Sequence, residues 1–113
     1  MQFDIRTQGF DLTDALRQHA ERRLTCALSR FHGRLGRVSM WLTDYNGPRG
    51  GVDKRCLLLV RIAGAPEVLI TELSKDLYIA IDRAADRAGR TVARRMGRHN
   101  GNAHGPMPQA DDA

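Results

Sequence analysis

The sequence predicts a single α+β domain with the element order β-α-β-β-β-α. In four segments apolar residues alternate with polar ones, a period of two that is typical of strands with one buried face. In two longer segments apolar residues recur every three or four positions, which is typical of amphipathic helices. The chain has 113 residues, enough for one domain with one modest core.

The first predicted strand and helix occupy residues 2–7 and 13–33. Phe3 and Ile5 alternate with polar residues in the strand. Thr13 suits the N-cap of the helix because its hydroxyl can accept a hydrogen bond from the first turn. One face of this helix is apolar and consists of Leu16, Ala20, Leu24, Ala27, Leu28 and Phe31.

Three further strands are predicted at residues 37–45, 54–63 and 67–71. The segments between them, 46–51 and 64–66, are rich in glycine and proline, which interrupt regular structure. Such short connections require an antiparallel meander, so both helices bury their apolar faces on one side of a four-stranded sheet. The strand side chains expected to face the helices are Val38, Met40, Leu42, Cys56, Leu58, Val60, Ile62, Val68 and Ile70.

The opposite face of the predicted sheet is unusually apolar. It carries Trp41, Leu57, Leu59 and Leu69, together with Arg55 and Arg61. A solvated sheet face usually holds fewer large apolar side chains. Two explanations stay open: these residues reflect strand propensity alone, or they form a patch for a partner or for weak self-association.

The last predicted helix runs from an N-cap at Ser74 to about Arg98. Its apolar face consists of Leu77, Ile81, Ala84, Ala85, Ala88, Val92 and Met96. The opposite face, which we call the arginine stripe, consists of Arg83, Arg87, Arg90, Arg94 and Arg98. These five positions fall within an arc of about 80° around the helix.

The arginine stripe predicts a polyanionic partner. Residues 83–98 hold six arginines and one acid, so this segment alone accounts for the net charge of +5. A solvated helix face usually mixes acids with bases to relieve repulsion, whereas the stripe itself contains no acid. Arginine also binds phosphate in a bidentate manner. We therefore favour RNA binding over a merely solvated face.

A second basic group flanks the apolar face of the first helix and consists of His19, Arg22, Arg23 and Arg30. Two parallel helices on one side of a sheet would join both basic groups into one groove. Arg49, Lys54 and Arg55 lie in or just after the longest loop. The glycines of that loop favour an ordinary hairpin connection over a phosphate site.

No pattern in the sequence predicts an enzyme. The chain lacks the Ser/His/Asp or Cys/His spacing typical of nucleophilic catalysis, and residues 47–51 match neither a P-loop nor a dinucleotide-binding fingerprint. Asp76, Asp82 and Asp86 are explained as helix-start and surface acids. We expect no metal, because the cysteines and histidines lack ligand spacing, and no cofactor.

The sequence also predicts the cellular compartment. Cys26 and Cys56 are interpreted as buried free thiols of a reducing cytosol. The N-terminus lacks an apolar signal segment, and no apolar run reaches the roughly 18–20 residues that span a bilayer. We expect a cytoplasmic protein with no membrane partner, built as a domain over residues 1–98 and a disordered polar tail over residues 99–113.

Three segments carry a family resemblance: TDALR at residues 13–17, ERRL at residues 21–24 and DLYIAID at residues 76–82. They resemble the ribosome hibernation-promoting factor family, also called ribosome-associated inhibitor or ribosomal subunit interface protein, over residues 1–98. Gly89 and Thr91 depart from the family, which has better helix formers inside the last helix. The sequence after Arg98 is too short for the C-terminal dimerisation domain of the long family form, so we expect the short form.

The resemblance implies a fold like that of a double-stranded-RNA-binding domain and a role in ribosome hibernation, a stress response. Such a protein binds the small (30S) ribosomal subunit and its 16S rRNA in the decoding channel, and inhibits translation by excluding messenger and transfer RNA. Family members bear Lys or Arg at positions matching Arg22, Arg23, Arg87, Arg90 and Arg94, which implies rRNA contacts there. Arg83 and Arg98 are assigned to the same interface from the stripe alone.

Two other functions stay open. The main alternative is a regulatory module that binds another protein, for example to modulate an alternative sigma factor, through the apolar outer face of the sheet. A small hydrolase is a third hypothesis, for which the sequence offers no nucleophile.

Overall fold

The computed structural model describes residues 2–45 and 52–104, with side chains as far as Gly97. Its strands and helices follow the predicted order: β1 (Gln2–Gln8), α1 (Asp14–Leu28), β2 (Leu35–Asp44), β3 (Lys54–Ile62), β4 (Val68–Ser74) and α2 (Leu77–His104). The predicted α+β fold class is confirmed.

The four strands form one sheet in the order β1-β2-β3-β4. β1 and β2 are parallel, because α1 carries the chain back between them, and the other pairs are antiparallel. The register aligns the predicted inward positions across the sheet. Ile5 lies opposite Met40, which lies opposite Leu58, which in turn lies opposite Ile70.

Both helices cover the face of the sheet formed by these inward positions. The core between the two layers includes Leu24 and Leu28 from α1, Met40 and Leu58 from the sheet, and Ile81 from α2, all fully buried. The alanines of α2 that belong to its predicted apolar face, Ala84, Ala85 and Ala88, are buried as well. Small residues here let α2 lie close to the sheet and to α1.

Two helix ends differ from the prediction. α1 ends at Leu28, and the chain tightens into a 3-10 helix over Ser29–Arg34, a common way for an α-helix to finish. α2 continues to His104 rather than ending near Arg98, because a helix needs no apolar face to add one hydrogen bond per residue. The rest of the expected tail, residues 105–113, lies outside the described residues.

The start of α2 also differs, because Asp76 rather than Ser74 caps it. The Tyr78 amide donates to Asp76 Oδ1 at 2.7 Å, so Asp76 occupies the N-cap position. Ser74 is the last residue of β4, and its Oγ accepts a hydrogen bond from the Asp76 amide at 3.2 Å. Within the described residues, no helix combines the length and the hydropathy needed to cross a membrane.

The two cysteines are free thiols in different surroundings. Cys56 is buried in the core, as predicted, and burial together with the negative charge of Glu72 raises the pKa of its thiol to about 12. Cys26 is exposed, contrary to the prediction, because it lies on α1 one turn from Arg22 and from Arg30, outside the apolar face.

Candidate nucleic-acid interface

α1 and α2 lie side by side and run in the same direction. His19 Nε2 lies 2.7 Å from Asp82 Oδ1, and Arg23 Nη2 donates to Asp86 Oδ1 at 2.9 Å. From the first contact to the second, the sequence advances by four residues on α1 and by four residues on α2, so the two helices are parallel. The parallel arrangement expected from the sequence is therefore confirmed.

Gly89 explains how closely the two helices approach. A Cβ at this position would lie 3.0 Å from the Ala27 carbonyl oxygen and 3.4 Å from the Ala27 Cβ. Gly is a poor helix former, so its place inside α2 departs from the family pattern. The packing against α1 supplies the reason, because any side chain here would push the helices apart.

Arg23 is tied into an interhelical ion-pair network. Its Nε lies 3.0 Å from Asp82 Oδ1, the oxygen that His19 also contacts, and its Nη2 pairs with Asp86. Asp82 and Asp86 are therefore more than the surface acids that the sequence suggests. The sequence did contain a signal for this network. His19 and Arg23 share one face of α1 at a spacing of four residues, and Asp82 and Asp86 share one face of α2 at the same spacing.

Three arginines of the stripe are exposed and have no acid partner among the residues that the structure describes. Among the described residues, Arg83 and Arg90 make no ion pair, and Arg94 donates only to Thr91 Oγ1, at 3.4 Å. Arg22 on α1 is exposed and, in the same described part of the chain, also lacks an ion pair. We call Arg22, Arg83, Arg90 and Arg94 the unpaired arginines.

Arg87 differs from the other arginines of the stripe because it pairs with an acid. The sequence predicts a stripe without acids. Arg87 Nη1 lies 2.6 Å from Glu72 Oε2 and donates to the Thr71 carbonyl oxygen at 3.0 Å. Glu72 belongs to β4 and faces α2. Arg87 therefore fastens α2 to the edge strand of the sheet, and part of its charge is balanced within the protein.

Arg95 has a related structural role that the sequence did not reveal. Its Nη1 donates to the carbonyl oxygens of Pro66 and Glu67 at 3.1 and 3.2 Å. Arg87 and Arg95 thus cover carbonyl groups along and just before β4. Edge strands with free backbone groups invite pairing with other chains, and these two side chains occupy some of those groups.

The remaining predicted positions add little to this surface. Arg98 lies in α2, but its side chain is outside the described part, and Arg49 lies outside the described residues altogether. Lys54 Nζ lies 2.9 Å from Asp53 Oδ1 and 3.4 Å from Asp44 Oδ1. The hydrogen bond to Asp53 raises the pKa of Lys54. Lys54 is therefore engaged with carboxylates, which agrees with an ordinary hairpin connection.

Residues 3–100 match the family described as "Sigma 54 modulation protein / S30EA ribosomal protein". The chain belongs to this family. The S30EA match includes residues of both helices and all four strands, and it confirms the family membership that the three sequence segments predict. No curated protein matches the chain.

Solved structures agree with the S30EA assignment. The N-terminal domain of Protein Y from Thermus thermophilus is 28% identical, with a TM-score of 0.69 over 83% of this chain and 98% of that one. A ribosomal subunit interface protein from Coxiella burnetii superposes with a TM-score of 0.71 over 86% of this chain and 99% of that one. At 17% identity, the second likeness shows the fold alone.

Proposed function

We propose that this protein binds 16S rRNA in the decoding channel of the small ribosomal subunit and inhibits translation by excluding messenger and transfer RNA. The observation that carries the proposal is the group of unpaired arginines, four exposed cations on neighbouring helices. The S30EA family description, which names a ribosomal protein, supports a ribosomal partner.

The unpaired arginines suit an RNA backbone better than a small anion. Guanidinium groups are always charged and bind phosphate through two parallel hydrogen bonds. Those of α2 repel one another along one helix face, and a run of phosphates relieves that repulsion. Sequence-independent phosphate contacts dominate the affinity of most nucleic-acid complexes.

The paired arginines act differently in this proposal. For Arg23 to contact rRNA it must exchange Asp82 or Asp86 for a phosphate, and Arg87 must exchange Glu72. Their first role is to hold α1, α2 and β4 in the arrangement that presents the unpaired arginines. Direct rRNA contacts of all seven predicted arginines stay predictions.

Inhibition in this proposal needs binding alone. A folded domain seated where messenger and transfer RNA lie blocks them sterically, and no bond is made or broken. We therefore assign no catalytic residue.

Cosedimentation with purified small subunits tests the proposal. We expect the wild-type protein to migrate with the subunits at moderate salt, and the R83Q/R90Q/R94Q variant to remain in the supernatant. A variant of equal net charge, R6Q/R37Q/R61Q, changes exposed arginines on the sheet side and should still bind. Equal loss in both variants would show that binding depends on net charge and not on the helix surface.

Competition tests the position in the channel. Prior loading of the subunits with messenger and transfer RNA should reduce binding of the wild-type protein. Simultaneous binding of all three would contradict the steric mechanism while leaving ribosome association intact.

A further inference from the structure

The face of the sheet that points away from the helices carries several large apolar side chains. We call it the outer patch, and it consists of Trp41, Tyr45, Leu57, Leu59, Leu69 and Leu73. The register places Trp41 opposite Leu57 and Leu59 opposite Leu69. Leu69 is 63% exposed and Leu73 48% exposed, so part of this apolar surface faces water.

Arginines surround the outer patch. Arg37 and Arg55 form no ion pair with any residue that the structure describes, whereas Arg6 pairs with Asp4 and Arg61 pairs with Glu67 on the same face. This face therefore carries an excess of positive charge around an apolar centre.

Arg55 is also held in place without a hydrogen-bonding partner for its Nε. Its guanidinium lies 5.5 Å from the ring centroid of Tyr45. Its Nε is buried and, within the described residues, lacks a hydrogen-bond acceptor. Arg55 therefore adds a fixed positive charge beside the exposed ring of Tyr45, which favours an anionic partner on this face.

We propose that the outer patch docks an acidic amphipathic helix of a partner protein. The apolar stripe of such a helix would cover the leucines and Trp41, and flanking Asp or Glu side chains would pair with Arg37 and Arg55. Four strands give a face roughly 15–19 Å wide, which a helix of about 12 residues spans. The helix would add a third layer, a common arrangement for a sheet with two apolar faces.

This interaction goes beyond the proposed function, because the outer patch and the unpaired arginines lie on opposite sides of the domain. A partner can therefore bind the sheet while the helices bind RNA.

Two other occupants fit less well. A second copy related by a twofold axis would bring the same arginines of both chains together, which is repulsive. Single-stranded RNA binds sheets mainly by stacking bases on aromatic side chains, and this surface is mostly leucine. Trp, Tyr and Arg together are typical of the energetic centre of protein–protein interfaces.

Trp41 provides the measurement, because it is the only tryptophan of the chain. The probe is a synthetic helix of about 14 residues with a leucine stripe flanked by Glu, and the control peptide has Lys at the same positions. We expect the Glu peptide to shift Trp41 emission to the blue in a saturable manner, with at least tenfold higher affinity than the Lys peptide. No saturable shift with the Glu peptide at millimolar concentration would overturn the proposal.

Variants locate the binding surface. L69S/L73S should weaken Glu-peptide binding more than about tenfold, since each leucine contributes apolar burial. R37E should weaken it severalfold by charge reversal. I79S on α2 and R17E on α1 are the matched controls and should leave it unchanged. All five positions are exposed, so circular dichroism should show the wild-type fold.

The other occupants give distinct results, each of which overturns the proposal. A blue shift that grows with protein concentration in the absence of peptide would identify a second copy as the occupant. A response of Trp41 to single-stranded RNA and not to the Glu peptide would identify an RNA surface. Equal affinity for the Glu and Lys peptides would show that the arginines do not select the partner.

Discussion

Arg87 on α2 and Glu72 on β4 form an ion pair with a separation of 2.6 Å between Nη1 and Oε2. This pair divides the arginine stripe into two kinds of residue. Arg83, Arg90 and Arg94 point to solvent without an acid partner in the described part of the chain, while Arg87 is turned toward the sheet. Glu72 therefore competes with any polyanion for Arg87.

Removing that competitor should strengthen RNA binding. In E72Q the amide keeps the shape of the side chain but releases the charge of Arg87. We expect rRNA affinity to rise by up to about fivefold and the free energy of unfolding to fall by up to about 1 kcal/mol. Filter binding and urea unfolding measure the two effects.

E67Q is the control for this experiment. Glu67 is an exposed acid that pairs with Arg61 on the sheet side, so its removal changes the net charge equally. An equal gain in affinity for both variants would mean that only net charge matters.

The fold was predictable because its signals are local. Alternation places Val38, Met40 and Leu42 on one face from neighbouring residues alone, and all three are buried. Trp41 lies between two of these inward positions, so the same alternation assigns it to the outer face. These inferences need no knowledge of which elements meet in space.

The pairing of charges was not predictable in the same way. Arg23 and Asp86 are separated by 63 residues, and their contact depends on how α1 packs beside α2. Gly89 looks like a weak point of the helix when α2 is considered alone, and its reason emerges only from the carbonyl oxygen of Ala27. A sequence gives the charge of each arginine, whereas the partner of that charge follows from tertiary packing.

The salt dependence of rRNA binding should count the arginines that contact phosphate. If the four unpaired arginines make these contacts, the slope of log K against log[salt] should be about −3. Contacts from all seven predicted arginines would give about −5 or steeper. Each single change, R83Q for example, should reduce the slope by about 1.

R87Q distinguishes the two arrangements. Because Arg87 pairs with Glu72, R87Q should reduce the slope by less than R83Q does. A reduction equal to that of R83Q would show that Arg87 exchanges Glu72 for a phosphate in the complex.

Two glycines of α2 should respond oppositely to substitution by alanine. A Cβ on Gly97 meets nothing within 4 Å, so G97A should stabilise the protein by up to about 1 kcal/mol through helix propensity. G89A gains the same propensity but forces a methyl group to 3.0 Å from a backbone oxygen. We expect a net destabilisation of about 1 kcal/mol or more. Urea midpoints at unchanged m-value measure both changes, and stabilisation by G89A would contradict the close helix packing.

The thiols should differ in reactivity. Cys26 is exposed and Cys56 is buried, so a thiol reagent at pH 8 should label one cysteine rapidly in the folded protein and two in denaturant. C26S should abolish the rapid phase. Rapid labelling of both thiols in the folded protein would show that the core around Cys56 opens readily.

Cys56 should also make stability decline at alkaline pH. Its pKa is raised from 9.0 to about 12 in the folded protein, so above pH 9 the unfolded chain releases the thiol proton while the folded chain retains it. The unfolded state then binds fewer protons, and the free energy of unfolding falls as pH rises from 9 toward 12, by up to about 1.4 kcal/mol per pH unit from this group. C56A lacks the thiol. Whatever its free energy of unfolding is at pH 7, that free energy should fall less steeply between pH 9 and 12. Parallel declines in urea unfolding series of the two proteins would show that Cys56 is not shielded from ionisation in the folded state.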